Sequence, residues 1–158
     1  MKKLILLLFT IVSFTSFSQL IEGNWLNTEK PEMNKAIEIS QKTNKPIMLF
    51  FTGSDWCGWC KILVKEVFKK PGFNKWAKEN VVLVEIDFPK RTKLSSELTA
   101  QNRNLQQMFG VRGYPTVWFV TPEVTDGKVN FKKLGSQGAS PLDAKGWIAG
   151  ANKILEQK

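Results

Sequence analysis

Two cysteines, Cys57 and Cys60, are the residues best able to carry out chemistry in this chain of 158 residues. They lie three positions apart in the segment Asp-Trp-Cys-Gly-Trp-Cys-Lys, which follows an apolar run. If a helix begins at the first cysteine, the unpaired backbone N–H groups and the helix dipole favour the Cys57 thiolate. The Cys60 sulfur then lies one helical turn further on, within attack distance. This spacing favours thiol-disulfide exchange, with Cys57 as a nucleophile reachable from solvent and Cys60 as the resolving thiol.

The other uses of a cysteine pair have weaker support. A purely structural disulfide stays open as an alternative, although closing a four-residue loop stabilises a fold little. A zinc site needs two more ligands, and a chain with no histidine and only two cysteines offers carboxylates alone. Covalent haem needs a histidine after the second cysteine, where Lys61 stands. The sequence therefore implies no metal and no organic cofactor.

The composition indicates one globular domain and excludes several enzyme classes. Hydrophobic residues make up 42% of the chain and aromatic residues 11%, enough for a core at this length. The absence of histidine excludes imidazole bases and the nucleophile pairs that depend on them. The formal net charge is +9, but the basic residues are scattered and no nucleic-acid motif accompanies them. We therefore expect no nucleic-acid partner.

The N-terminal segment has the pattern of a secretory signal peptide. Two lysines open the chain, an apolar stretch covers residues 4–12, and small residues at 16–18 offer a cleavage site. A membrane anchor is the alternative, but a span needs about 20 apolar residues and polar ones interrupt this stretch early. We expect residues 1–18 to be removed, leaving residues 19–158 as a single domain. This predicts a periplasmic or secreted protein with no stable membrane anchor.

Hydrophobic periodicity and chain breakers predict alternating helices and strands around the cysteines. The run before Cys57 has the form of a strand buried on both faces of a sheet. Asp126-Gly127 is typical of a two-residue hairpin turn, and Ser140 of a helix N-cap followed by proline at the first helical position. The predicted elements are helices at 31–43, 58–70 with a stop at Pro71-Gly72, 73–77, 98–110 and 141–155, strands at 47–51, 81–87, 116–120 and 129–134, and a surface loop at 88–97.

With these elements the sequence resembles the thioredoxin superfamily, and within it the exported thioredoxin-like proteins related to the C-terminal domain of the thiol:disulfide interchange protein. The likeness covers residues 30–157 and is carried by the apolar strand, the cysteine motif, the strand at 81–87 and Val-Arg-Gly-Tyr-Pro-Thr at 111–116. It implies an α/β, thioredoxin-like fold, in which a central mixed sheet of about four to five strands has helices on both faces.

The resemblance also implies a set of site residues. Pro115 is expected to follow a cis peptide bond, with its loop packed against the cysteines, and Tyr114 to offer backbone hydrogen bonds to an extended peptide. A plain turn at this position, and a core-filling role for the two tryptophans, are the alternatives. The expected substrate-binding residues are Trp56, Trp59, Gly113, Tyr114 and Pro115. The implied partners are protein substrates with disulfides or thiols and an unidentified thiol-disulfide electron donor.

The sequence departs from this family at the proton acceptor for the second cysteine. Thioredoxins carry a buried aspartate six residues before the first cysteine, where this chain has Phe51. Related interchange domains add a glutamate seven residues after it, where this chain has Val64. The sequence does not decide whether Asp55, Glu66, Glu85 or water accepts the proton of Cys60.

The direction of exchange depends on how strongly the helix N-terminus stabilises the Cys57 thiolate. A helix N-terminus stabilises a negative charge by about 0.3–1 kcal/mol, and up to about 2 kcal/mol when partly buried. A strongly oxidising pair requires about 7 kcal/mol, which nothing in Gly58-Trp59 supplies. We therefore expect a protein-disulfide reductase. A disulfide isomerase or oxidase, and a non-catalytic peptide-binding module of the same fold, stay open as alternatives.

Overall fold

The computed structural model describes residues 24–157, so the predicted signal peptide at 1–18 lies outside the described residues. Within this range the chain alternates helices and strands in the order that the sequence predicts. The elements are α1 (Met33–Thr43), β1 (Ile47–Thr52), α2 (Gly58–Leu63, continued by a π-helical turn at Val64–Phe68), α3 (Pro71–Asn80), β2 (Val82–Asp87), α4 (Ser96–Met108), β3 (Thr116–Thr125), β4 (Lys128–Gln137) and α5 (Ala144–Leu155).

The four strands form one mixed sheet with the order β2-β1-β3-β4. The first strand, β1, lies parallel to β2 and antiparallel to β3, and β3 and β4 form an antiparallel hairpin. All six residues of β1 are buried, which explains its continuous apolar run. The predicted α/β, thioredoxin-like architecture with a mixed sheet is confirmed.

The pleat of β1 divides the core into two clusters, one on each face of the sheet. Met48 and Phe50 pack with the two cysteines and with α2, α3 and α5. Ile47, Leu49 and Phe51 pack on the opposite face with α1 and α4. Because side chains alternate along a strand, this one strand joins the cores on both faces.

The helix after the cysteines is shorter and less regular than the prediction of 58–70. Its α-helical part ends at Leu63, and a π-helical turn carries the chain to Phe68. Pro71 was predicted to stop a helix, but it begins α3 instead. The reason is that proline fits the first helical position, where its missing N–H costs no hydrogen bond.

The predicted hairpin is confirmed, and its strands are longer than expected. Asp126 and Gly127 both have positive φ, and Thr125 pairs directly with Lys128. The prediction ended β3 at residue 120, whereas the strand continues through Pro122 to Thr125. Proline is tolerated here because β1 does not pair with β3 beyond Val120, so this part of the strand has β4 alone beside it.

The N-terminus of α5 differs from the prediction. Ser140 does not cap it, because the helix begins only at Ala144. The cap is Asp143, whose carboxylate accepts a hydrogen bond from the Gly146 N–H at 2.7 Å. Aspartate and serine cap helices about equally well, so sequence preference alone does not choose between the two positions.

No helix in the part of the chain from residue 24 to 157 is both long enough and apolar enough to cross a membrane.

Candidate active site

The cysteine motif begins in a tight turn directly after β1. The Gly53 carbonyl accepts hydrogen bonds from the N–H groups of Trp56 and Cys57, at 3.2 and 2.8 Å. Cys57 is the N-cap of α2 and has extended backbone dihedral angles. The strand therefore delivers the first cysteine to a helix N-terminus, as the spacing predicts.

The two cysteines form a disulfide with an S–S distance of 2.11 Å. The Cys57 sulfur also accepts a hydrogen bond from the Cys60 N–H at 3.2 Å. An N–H group directed at a sulfur stabilises negative charge on it, so this contact favours a thiolate at Cys57 once the disulfide is reduced. Cys57 is 6% exposed and Cys60 1%. The first cysteine therefore keeps a small accessible surface, and the second is enclosed.

Trp56 is fixed beside the disulfide by contacts on several sides. Its indole N–H donates to the Phe88 carbonyl at 2.8 Å, and the Lys90 ammonium lies 4.1 Å from its ring centroid. The ring also lies over Gly53, where a Cβ atom would overlap it. Trp56 is 36% exposed, so it is neither core filler nor a freely moving surface residue.

Trp59 differs from Trp56 in having no aromatic partner among residues 24–157. It is 60% exposed, and Ile62, one turn further along α2, is 40% exposed. These two side chains give the surface next to the cysteines an apolar character. The core-filling alternative is therefore wrong for Trp59.

Asp55 holds the loop that follows β2 against the cysteine motif. Its carboxylate accepts hydrogen bonds from the backbone N–H groups of Lys90, Arg91 and Thr92. These hydrogen bonds, the one from Lys90 foremost, hold the pKa of Asp55 below its ordinary value. Sequence analysis did not find this contact, because its partners lie more than 30 residues away and no local pattern marks them.

The Gly113–Pro115 loop lies against the motif through Tyr114. The Tyr114-Pro115 peptide bond is cis, as the resemblance implied. The Tyr114 ring meets the Trp56 ring edge to face at 5.8 Å, and its hydroxyl accepts a hydrogen bond from Gln106. The Gly113 carbonyl accepts one from the Thr116 hydroxyl at 2.8 Å. The fold thus brings two segments that are more than 50 residues apart to one site.

A cavity of about 370 Å³ lies on the inner side of the cysteine pair. Cys60, Phe50 and Val64 line it together with the side chain of Glu85 from β2. Phe50 and Glu85 are direct neighbours in the register of β1 and β2. Lys61, Lys65 and Lys69 also line the cavity, from the helix side.

The β1 residue that faces the cysteines is Phe50, whereas the count of six residues from Cys57 led to Phe51. Phe51 lies on the opposite face of the sheet and contacts Phe109. The pleat is the reason, since neighbouring residues of a strand point to opposite faces. Phe50 and Val64 are both apolar, so neither β1 nor α2 places a carboxylate in the cavity beside Cys60.

The carboxylates that the sequence left open differ in their surroundings. Asp55 is held by three backbone N–H groups, and Glu66 forms ion pairs with Lys65 and Lys70 that lower its pKa. Burial, reinforced by the negative charge of Asp87, raises the pKa of Glu85 to about 7. Burial also raises the pKa of Asp87, although Ser54 donates to that carboxylate through both its N–H and its hydroxyl.

No group of three or more cysteine or carboxylate side chains that could hold a metal ion occurs between residues 24 and 157.

Comparisons with known proteins find relatives of the thioredoxin-like class. The family model described as a thioredoxin-like domain matches residues 33–143. The disulfide bond reductase DsbH of Chlamydia pneumoniae is 30% identical over 122 residues, which cover 77% of this chain and 69% of that protein. The thioredoxin-related protein DsbJ of the same organism is 28% identical over 92 residues, which cover 58% of this chain and 26% of that protein.

A solved structure of the DsbH oxidoreductase matches this chain with a TM-score of 0.71 at 27% sequence identity. The match covers 82% of this chain and 85% of that structure. The likeness therefore extends over most of the chain.

Proposed function

The chain belongs to the thioredoxin-like domain family, and from this premise we propose that it is an exported thiol-disulfide oxidoreductase that acts mainly as a reductant of protein disulfides. The observation that carries the proposal is the unequal environment of the cysteine pair. Cys57 caps α2 and keeps a small exposed surface, whereas Cys60 is enclosed one turn further on. An attacking thiol needs access, and a resolving thiol needs only proximity to the first.

In the proposed cycle the Cys57 thiolate attacks one sulfur of a substrate disulfide. A Cys57–substrate disulfide forms, and the first substrate thiolate leaves. The Cys60 thiolate then attacks the Cys57 sulfur, which forms the Cys57–Cys60 disulfide and releases the second substrate thiolate. Two electrons and two protons pass to the substrate, and a second thiol donor restores the dithiol.

The reducing direction is supported by the cap geometry and by one relative. One helix N-terminus and one N–H···S hydrogen bond favour the Cys57 thiolate only moderately. A dithiol that is only moderately stabilised gives up its electrons more readily than that of a strong oxidant. The relative DsbH, which is 30% identical, is named a disulfide bond reductase.

We propose that an extended substrate peptide binds across Trp56, Trp59 and the Gly113–Pro115 loop. Trp56 and Tyr114 are in contact and form an aromatic surface next to the cysteine motif. Trp59, two residues after Cys57, adds an exposed apolar surface. Exposed aromatic side chains next to a reactive group favour contact with the apolar part of a protein substrate.

The proposal includes export and cleavage. The lysines and apolar stretch of residues 1–18 are typical of a signal peptide, and oxidising compartments are where disulfide exchange on proteins is needed. Expression of the full chain in a bacterium followed by mass spectrometry of the periplasmic fraction tests this. A mature protein that begins at Gln19 is expected, and an uncleaved chain in the cytoplasm would contradict it.

The reaction is tested by trapping. Cys60→Ser should form stable mixed disulfides with client proteins through Cys57, and the matched control Cys57→Ser should form none. Reduction of insulin by the wild-type protein should be lost in both variants. If Cys60→Ser captures no client and wild type reduces no disulfide, the chain is a binding module and the proposal is wrong.

The direction is tested by equilibration with glutathione. A reductase is expected to have a potential near that of thioredoxin, about −270 mV. A potential near −120 mV, which is typical of a strong oxidant, would contradict the reductase direction while leaving the exchange chemistry intact. Refolding of scrambled and of reduced substrates separates an isomerase from an oxidase in that case.

A further inference from the structure

We propose that Glu85 is the proton acceptor for Cys60 and that it acts through water in the cavity that the two side chains share. The proposal rests on the thiol-disulfide exchange proposed above and names the residue that makes the resolving thiol reactive. The positions where thioredoxin-like proteins carry such an acid hold apolar side chains here. The acid is therefore supplied by a different strand, β2.

The cavity beside the cysteine pair brings Cys60 and Glu85 together. Cys60 and Glu85 both line it, with Phe50 and Val64 as apolar walls. A volume of about 370 Å³ holds several water molecules, since each occupies about 30 Å³ in the liquid. A proton can thus move between the sulfur and the carboxylate along water, and Glu85 is the one carboxylate among the described residues that line the cavity.

The Glu85 carboxylate has no hydrogen-bond or ion-pair partner among residues 24–157. Its backbone hydrogen-bonds to Leu26 and Asn27, but its side chain accepts no hydrogen bond and forms no ion pair there. The neighbouring carboxylates are all engaged, Asp55 by backbone N–H groups and Asp87 by Ser54. A carboxylate without partners is available to accept a proton.

The charged groups around Glu85 leave its proton affinity high. Asp87 lies two residues further along β2, on the same side of the strand, and opposes ionisation of Glu85. Lys61 and Lys65 line the cavity, but their ammonium groups bind the Asp55 carbonyl and the Glu66 carboxylate, and Lys69 is the third lysine of the lining. With a pKa of about 7, Glu85 can both accept and return a proton near neutral pH.

In the resolving step one proton is transferred, one S–S bond forms and one S–S bond breaks. The Cys60 S–H proton passes through water to the Glu85 carboxylate, and the Cys60 thiolate attacks the Cys57 sulfur of the mixed disulfide. The Cys57–Cys60 bond forms as the bond to the substrate sulfur breaks. The leaving substrate thiolate takes up a proton, which Glu85 returns through the same water, so the carboxylate is ionised again for the next cycle.

The test uses reduced protein mixed rapidly with 5,5′-dithiobis(2-nitrobenzoate). The first thionitrobenzoate leaves when Cys57 attacks, and the second leaves when Cys60 resolves the mixed disulfide, so the two steps are seen separately. Glu85→Gln keeps the shape of the side chain but cannot accept the proton. We expect it to slow the second phase by about 10²-fold near neutral pH and to leave the first phase unchanged.

The pH profile and two further variants separate proton transfer from a structural role. In wild type the second phase should accelerate as the pH rises through about 7, and Glu85→Gln should lose this rise. Glu85→Asp retains a carboxylate and should restore part of the rate and the pH dependence. Glu66→Gln, the matched control, changes a carboxylate that does not line the cavity and that pairs with Lys65 and Lys70, and it should keep a second phase within a few fold of wild type.

The possible failures have distinct meanings. An unchanged second phase in Glu85→Gln overturns the role of Glu85 and leaves the proposed exchange reaction standing. Equal slowing of both phases in Glu85→Gln, or equal effects of Glu85→Gln and Glu66→Gln, also overturns it, because that pattern indicates a general disturbance of the site. No release of either thionitrobenzoate from wild-type protein would instead contradict the proposed function itself.

Discussion

At the scale of single residues, the environment of each sulfur is set by a few neighbours. The Cys57 sulfur accepts a hydrogen bond from an N–H of the helix that it caps, while Cys60 belongs to that helix and lines the cavity. Trp56 covers the turn before the motif and connects it to Phe88 and Tyr114. The chemistry of the pair therefore depends on residues that do not themselves react.

Gly53 is the residue whose replacement tests the position of Trp56. A Cβ at Gly53 would overlap the indole ring of Trp56, so Gly53→Ala must displace the ring or the turn. We expect a loss of about 1–3 kcal/mol in the free energy of unfolding, measured by urea denaturation. The matched control is Gly58→Ala, where no atom lies within 4 Å and stability should stay the same or rise by less than about 1 kcal/mol. Equal effects of the two substitutions would contradict the packing of Trp56 on Gly53.

Asp55 is predicted to hold the segment 90–92 in place. In Asp55→Ala the backbone N–H groups of this segment lose their acceptor, so their hydrogen exchange should accelerate. Glu66→Ala, which removes an exposed carboxylate paired only with lysines, should leave exchange at 90–92 unchanged.

The pH dependence of this contact follows from the sign of the pKa shift. The folded state lowers the pKa of Asp55, so the contact contributes stability above the ordinary aspartate value and loses it as the pH falls through the lowered value. Protection at 90–92, corrected for intrinsic exchange, should therefore persist down to about pH 4. Loss of protection between about pH 6 and 5 would indicate that another group holds the loop.

At the scale of elements, β1 has the largest influence on the site. Its end places the cysteine motif, its pleat turns Phe50 toward Cys60, and its register sets Glu85 beside Phe50. The helix that follows changes to a π-helical turn at Val64–Phe68. Residues of this turn, Val64 and Lys65, are among those that line the cavity.

The N-terminus of α5 gives a prediction at this scale. Asp143→Ala removes the carboxylate that accepts the Gly146 N–H, and we expect it to lower the free energy of unfolding by about 0.5–2 kcal/mol. Ser140→Ala is the control, because Ser140 lies outside the helix and should cost less than about 0.5 kcal/mol. Thermal or urea unfolding of both variants measures the difference. A larger loss for Ser140→Ala would indicate that Ser140 caps α5, as the sequence predicted.

At the scale of the whole molecule, Glu85 links folding stability to pH. Because its folded pKa is raised from 4.5 to about 7, the folded state binds more protons than the unfolded state between these values. Stability should therefore fall as the pH rises through this window and stay at the lower level above it. The loss due to Glu85 is at most about 3 kcal/mol, and Asp87, whose pKa is also raised, adds a loss of the same sign.

Urea unfolding of the oxidised protein at about pH 5 and about pH 8 measures this effect. Wild type should be less stable at the higher pH, and Glu85→Gln should show a smaller difference. Cys57–Cys60 stays oxidised in this experiment, so the effect is separate from the redox reaction. Wild-type stability that does not fall between these two pH values, or an equal fall in Glu85→Gln, would contradict the raised pKa of Glu85.

How much the sequence predicts depends on how local the cause is. The apolar run of β1, the Asp126-Gly127 turn and the cysteine motif at a strand-helix junction each follow from residues close together in the chain, and the structure has all three. The end of β3 was missed because it depends on how far β1 extends beside it. The change of helix type at Val64 has no local signal that we can identify.

The sequence by itself determined the fold family, the cysteine pair and the order of elements that brings it to a helix N-terminus, because strand burial, turn preference and motif spacing act over short stretches of chain. Only the tertiary structure decided that Asp55 holds the loop after β2, that Phe50 rather than Phe51 faces Cys60, and that Glu85 shares a cavity with it. The physical reason is that these contacts join strands and loops that meet only when the sheet is assembled. Their burial and charge therefore depend on neighbours far away in the sequence.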